Sequence, residues 1–294
     1  MTWLRDTVLH LRPRSWPVVF AHFCAGALVA LARGGEAGAS PAFAGLTIAG
    51  VLLGGFVWTV LLNGGTLAIN SAFDRDTGDI GYLDAPPPIP KGLAAVSVVL
   101  MVLGLALSWL LGGEYFWCYT ACLVLSLLYS VPPVRLKAVA GADVVVNMAG
   151  YGALTFAAGC AATGLLDAVG WLLAASFGFL FGAFYPMTQI YQIPEDRERG
   201  DRTLSIIIGP RRVLVLSLLG IAVAIGLQVA GGMRAGMSGG GFAVLLLPGL
   251  AWLAFTAHWL EQFDAYPHKA GMYRALWLWA ASDVAVVAAF LLFA

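Results

Sequence analysis

Long apolar runs separated by short polar loops set the pattern of this chain. Nine runs approach the roughly 20 residues that one helical crossing of a bilayer needs. They are 16–32, 43–69, 93–112, 115–130, 144–162, 168–191, 212–231, 241–260 and 274–293. The runs are too long for barrel strands and lack their alternation, so helices are the spanning form that satisfies the backbone in lipid. The pattern therefore predicts an all-α polytopic membrane helix bundle, a single transmembrane domain over 1–294. Within it, 1–15 forms a surface segment, 16–141 a first half, 142–273 a second half and 274–293 a last helix. Trp3–Leu11 mixes apolar and polar positions, as a helix lying along the membrane surface does. The run after Arg12 and Arg14 has some features of a signal peptide but reads better as a first span, because no soluble domain follows it.

Composition sharpens this picture. Of 294 residues, 60% are hydrophobic and 11% charged, against about 25% charged in soluble domains. So little charge cannot cover a water-facing surface, and membrane lipid becomes the expected solvent. A formal net charge of zero gives no reason to expect nucleic acid as a partner. The four cysteines, Cys24, Cys118, Cys122 and Cys160, all lie in apolar stretches and read as packing residues.

Sorting the loops by side places fourteen Lys and Arg residues with the N-terminus and the even-numbered loops, and only Arg33 and Arg234 opposite. Positive loops stay cytoplasmic. The N-terminus and the even loops are therefore expected in the cytoplasm, in a bacterial inner membrane.

Two of those loops match each other at an offset of 122 residues. Asn70-Ser-Ala-Phe-Asp74-Arg75-Asp76-Thr-Gly78-Asp79 and Gln192-Ile-Pro-Glu195-Asp196-Arg197-Glu198-Arg-Gly200-Asp201 both read amide, three residues, Asp-Arg, an acid, one residue, Gly-Asp. Each follows an even-numbered span, so helices one to four and five to eight read as two copies of one unit. The windows hold seven of the sixteen acids. Such clustering is repulsive unless a cation offsets it. Mg²⁺ prefers carboxylate oxygens and typically joins one or two of them to a phosphate. Two facing clusters suit a metal-bound diphosphate. The interleaved arginines, with Arg135 and Lys137 in the next loop, suit its remaining charge.

With these motifs in view, the chain resembles the UbiA family of intramembrane prenyltransferases. Asn70 and Asp74 match that family's first aspartate-rich motif, and Asp196 and Gly200 match the end of its second. Tyr129-Ser-Val-Pro-Pro-Val-Arg135-Leu-Lys137 and Pro88-Ile-Pro-Lys-Gly92 look like its tyrosine-to-lysine and proline-rich segments. The sequence departs at Ser71, Gly78 and Gln192, where the family places aspartates, and at Asp84-Ala85-Pro86, where it places an asparagine-arginine pair. The acceptor is therefore not to be copied from the best-known members.

The resemblance implies Mg²⁺-dependent transfer of an isoprenyl group from a prenyl diphosphate to a lipophilic acceptor. It implies Asp74, Asp196 and Lys137 as catalytic residues. The diphosphate-binding set is Asn70, Arg75, Arg135, Lys137, Gln192, Arg197 and Asn147. The metal-ligand set is Asp74, Asp76, Asp79, Glu195, Asp196 and Asp201, with Asp79 and Asp201 taking over where the motif aspartates are missing. The metal would offset charge developing on the leaving diphosphate. Phe73, Tyr185 and Tyr191 are candidate aromatic faces for an allylic cation. Asn147 is expected to line the cavity and Asp143 to cap or snorkel. His22 reads as a packing residue, and Asp283 as a lone intramembrane acid with no basic partner in the spans. A membrane terpene cyclase and a transporter are the rival readings. The first would quench the cation within the tail, and the second would need broken helices and polar groups at mid-membrane.

Overall fold

A computed structural model describes residues 2–34, 47–74, 80–81, 83–200 and 202–293. Among them, eight helical stretches are long and apolar enough to cross a membrane: Thr2–Ala32, Ile48–Asp74, Leu93–Leu111, Ala142–Ala162, Ala168–Ile190, Pro210–Arg234, Gly239–Glu261 and His268–Phe293. The ninth expected span is the helix Gly113–Ser130, which does not join that set. Glu114, three tyrosines and the serines that its sequence carries dilute its apolar run.

The helices are named in chain order. The first stretch divides into α1 (Thr2–His10) and α2 (Trp16–Ala32). Then come α3 (Ile48–Asp74), α4 (Leu93–Leu111), α5 (Gly113–Ser130), α6 (Ala142–Ala162) and α7 (Ala168–Ile190). Two short helices, α8 (Ile193–Arg199) and α9 (Leu204–Ile208), precede α10 (Pro210–Arg234), α11 (Gly239–Glu261) and α12 (His268–Phe293).

Trp3 and Leu4 are exposed on α1. The Trp3 indole donates to the Lys91 carbonyl at 3.1 Å and the His10 ring meets the Pro87 carbonyl, so α1 docks on the proline-rich loop. Helix packing then runs in a closed circuit from α2 to α6, α7, α10, α11 and α12 and back to α2, with α3, α4 and α5 filling the flank beside α2 and α6. Trp109, Trp117, Leu247, Leu250 and Val284 stay exposed around the bundle. On a water-facing protein such a belt would be a liability; on an integral membrane protein it faces acyl chains.

Lipid gives no hydrophobic drive to helix pairing, so close van der Waals contact must supply it, and small residues permit it. The α2–α6 contact is the tightest example. A Cβ added at Gly26 would sit 2.0 Å from the Phe156 carbonyl oxygen, and one at Gly159 only 1.9 Å from that of Phe23.

At the end away from the acidic motifs, Arg33 grips both oxygens of Asp167 at 2.9 and 2.7 Å, and Asp167 also caps α7 by accepting from the Gly170 N–H at 3.1 Å. The guanidinium holds the Asp167 carboxyl down to about 2. A depressed folded-state value means its contribution is present above the ordinary carboxylate value near 4 and is lost as pH falls toward 2. Asp167→Ala should lower stability in detergent thermal unfolding by about 1 kcal/mol, mostly through the lost cap, since the half-exposed ion pair adds little. The deficit should shrink as pH is lowered from 5 to 3.

Candidate active site

The site begins on α3. Residues 63, 66, 70 and 74 recur at spacings of three and four, which puts Asn63, Thr66, Asn70 and Asp74 on one helix face. The apolar run expected to stop at residue 69 gives way to a helix that continues to Asp74, so the first motif starts on the span's last turns rather than in a loop. It can do so because these polar side chains find partners inside the bundle. The Asn70 carbonyl oxygen accepts from Ser130 Oγ at 3.3 Å and Lys137 Nζ at 3.2 Å. Asp74 accepts from Arg135 Nη2 at 3.1 Å and forms a second ion pair with Lys137.

Both cations come from the turn after α5. Arg135 there adopts a left-handed backbone, φ 40°, at a cost of about 1 kcal/mol for a residue with a Cβ. That reversal brings residues 135 and 137 back against α3. The Asp74 side chain is only 7% exposed, so its charge is held by those two neighbours rather than by water.

A cavity of about 180 Å³ opens beside Asn70. Asn63, Thr66 and Asn70 face it from α3, Cys122, Ser126 and Tyr129 from α5, and Asn147, Gly150, Tyr151 and Thr155 from α6. Its walls coincide with two π-helical segments, Val57–Gly64 in α3 and Met148–Leu154 in α6. Such widened turns shift the side-chain register and recur at functional sites. They are joined here. Tyr151 Oη donates to Asn63 Oδ1 at 3.0 Å, and the Trp58 indole donates to Thr155 Oγ1 at 3.0 Å. Thr155 Oγ1 in turn donates to the Gly150 carbonyl at 2.9 Å.

Arg12 reaches the same cavity from the start of the chain. It is buried, with φ 52°, and donates to Ser71 Oγ at 3.1 Å and to the Gly81 carbonyl at 3.3 Å. Ser71, read as a lost motif aspartate, is thus the partner of a buried arginine.

The second motif is organised by α7. Gln189, buried one turn before Gln192, donates to Asp143 Oδ2 at 2.8 Å and accepts from the Ser205 N–H at 3.4 Å. Asp143 also accepts from the Gly141 N–H at 2.9 Å, and Asn147 Nδ2 donates to the Asp143 carbonyl at 2.8 Å. Asp143 is therefore an interhelical tie as well as a helix-start acid. Asp196 on α8 is 4% exposed, Arg197 and Glu198 are exposed, and Gln192 is half-buried. Gly200 ends α8 at φ 76°, a left-handed backbone that glycine adopts at little cost. α5 and α7 meet through hydroxyls, Tyr129 Oη lying 3.2 Å from Tyr185 Oη.

Of the residues named from sequence, Asn70, Asp74, Arg135 and Lys137 form one cluster, and Asn147 lines the adjoining cavity. Arg75, Asp76, Asp79 and Asp201 lie outside the described residues, as does the Glu195 side chain. Phe73 is exposed and Tyr191 half-buried. Cys122 lines the cavity, and all four cysteines are free. Arg12, Asn63, Tyr151 and Gln189 went unnamed as site residues. Asn63 and Gln189 carry the signal of an amide inside an apolar span; Arg12 reads as one more topology charge. The reading of Asp283 is corrected: its basic partner in the spans is His22, 2.6 Å away.

Among the described residues no three acids, histidines or cysteines gather as a ready-made metal cage. The donor chemistry still fits Mg²⁺. Asp74 and Asn70 offer hard oxygens, and no thiol or imidazole takes part in the Asn70–Asp74 cluster. Arg135 and Lys137 stand beside them as ready phosphate partners.

The UbiA prenyltransferase family model matches residues 23–281. The chain is 32% identical over 285 residues to a digeranylgeranylglyceryl phosphate synthase of Natronomonas pharaonis, covering 89% of this chain and 98% of that one. It is 26% identical over 223 residues to the bacteriochlorophyll synthase 33 kDa chain of Cereibacter sphaeroides, covering 73% and 70%. A solved digeranylgeranylglyceryl phosphate synthase superposes with TM-score 0.74 at 16% identity, over 99% of both chains. A UbiA homolog from Archaeoglobus fulgidus bound to GPP and Mg²⁺ gives 0.67 at 19% identity, over 97% and 99%. Both structures share the fold seen here. This chain belongs to the UbiA prenyltransferase family and is a membrane enzyme that transfers alkyl groups other than methyl.

Proposed function

We propose that the protein transfers an isoprenyl group from a prenyl diphosphate to a lipophilic acceptor within the membrane, with Mg²⁺ holding the diphosphate. The observation that carries this reading is the Asn70–Asp74–Arg135–Lys137 cluster at the mouth of a largely apolar cavity. Asp74 and Asp196 would hold the metal, with Asp79 and Asp201 completing the set by motif register. When bound, Mg²⁺ offsets the negative charge that grows on the leaving diphosphate. Lys137 and Arg135 then exchange Asp74 for phosphate oxygens, which keeps their charge paired throughout. Asn70 orients Lys137, and Asn147 lines the path below. The isoprenoid tail extends into the cavity past Trp58 and Tyr151, whose faces suit an allylic cation in a water-poor space.

The charge asymmetry of the loops supports a cytoplasmic site and N-terminus, and a bacterial inner membrane is the setting we propose. The solved homolog that holds GPP and Mg²⁺ in the same fold adds support for both ligands.

The experiment incubates purified protein with labelled geranyl and geranylgeranyl diphosphates and a lipid extract of its source, with Mg²⁺ or with chelator. Labelled lipid product that needs both Mg²⁺ and the extract is expected. Cyclised hydrocarbon formed without extract would replace this reading by the cyclase one.

A further inference from the structure

The buried pair His22–Asp283 joins helices 261 residues apart in sequence, and the reaction as described makes no use of it. An ionisable pair inside a span is costly and marks function by default. Its geometry shows what it does. His22 Nδ1 lies 2.6 Å from Asp283 Oδ1, and Nε2 lies 2.9 Å from the Gly152 carbonyl oxygen. A carbonyl only accepts, so Nε2 carries a hydrogen and one further proton bridges Nδ1 and the carboxylate. Phe177 and Trp279 pack on the ring at 4.7 and 4.8 Å and restrict its rotation.

Gly152 belongs to the α6 π segment and is pressed against α7, where a Cβ would meet the Phe177 carbonyl oxygen at 2.6 Å. The neighbouring residue, Tyr151, faces the reaction cavity. The segment is thus held from two sides, by Trp58 and Thr155 near the cavity and by His22 behind it.

We propose that His22, oriented by Asp283, is a positioning residue that fixes the α6 π segment and so sets Tyr151 against the isoprenoid in the cavity. This consequence for turnover rests on the prenyl-transfer reading, whereas the positioning itself does not. Hydrogen-bond geometry, not charge, is what the pair supplies. Asparagine at 283 can donate to Nδ1 of a neutral ring that still donates from Nε2 to Gly152, so Asp283→Asn keeps the arrangement. Asp283→Leu and His22→Leu break it.

The test compares the three variants with wild type in nanodiscs by two readouts. Hydrogen exchange is followed over 148–155, and steady-state kinetics are measured with the prenyl diphosphate found to be a substrate. His22→Leu and Asp283→Leu should raise exchange in that segment. They should also lower kcat about tenfold or more, as small misplacements near reacting atoms do, with KM for the diphosphate within about threefold of wild type. Asp283→Asn should match wild type in both. The proposal is overturned if the leucine variants leave exchange at 148–155 unchanged, or if Asp283→Asn loses as much as Asp283→Leu, which would make the charge the essential property. Absence of turnover in the wild type with every prenyl diphosphate would remove the prenyl-transfer reading alone, and the exchange result would still decide the positioning.

Discussion

Asp74→Asn is expected to lower kcat/KM for the prenyl diphosphate by about 10²–10³-fold, the usual cost of removing one preorganised group that stabilises transition-state charge. The substitution keeps the side chain's shape and one oxygen, so Arg135 and Lys137 retain a weaker partner and the fold should persist. What it removes is a negative oxygen for the metal. Asp196→Asn should lose a comparable factor, because Asp196 is the buried acid of the second motif. Lys137→Met should be milder in binding Mg²⁺ but should leave the Asp74 carboxylate with Arg135 as its remaining cation in a pocket only 7% exposed. Its deficit should persist at saturating Mg²⁺, since the lost contact is the one to the phosphate, which a metal on Asp74 does not replace. Initial rates measured across a Mg²⁺ titration separate these cases.

The largest effect on stability is expected from Gly159→Ala or Gly26→Ala. In each, the new methyl would lie 2 Å or less from a backbone carbonyl oxygen of the facing helix, which has no rotamer with which to yield. The α2 and α6 backbones must separate, and the loss should be about 3 kcal/mol, the upper part of the range for overpacked cores. The two glycines serve one contact, so the double variant should lose less than the sum of the singles. Gly226 in α10 supplies the contrast. Apart from its chain neighbours and its own helix backbone, no atom lies within 4 Å of an added Cβ there. Gly226→Ala should therefore stabilise by roughly 0.5–1 kcal/mol, through helix propensity alone. Thermal unfolding in one detergent reads all four variants.

The helices were legible because apolar run length is a local property. The two acidic motifs were legible because their register repeats, and Arg135 and Lys137 because they follow the motif in a loop of matching charge. Helix ends were less legible. Hydropathy stops at Ile69, while the backbone stays helical through Asp74 because Ser130, Arg135 and Lys137 receive its polar side chains. The π segments left no trace in composition, since they depend on how α3 and α6 pack. Distant pairings were also hidden. Nothing local to Asp283 points to His22, and nothing near Arg12 points to Ser71. Gln189 was masked by Gln192, three residues later, whose place in the motif drew the assignment.

The central claim is that Asp74 and Asp196 act on one and the same diphosphate. Binding of the Mg²⁺–prenyl diphosphate complex to wild type, Asp74→Asn, Asp196→Asn and the double variant measures this directly. A shared site predicts that each single variant binds at least about tenfold more weakly and that the double variant loses much less than the product of the two factors. Wild-type affinity in either single variant, or losses that simply multiply, would show that the two carboxylates do not hold a common ligand.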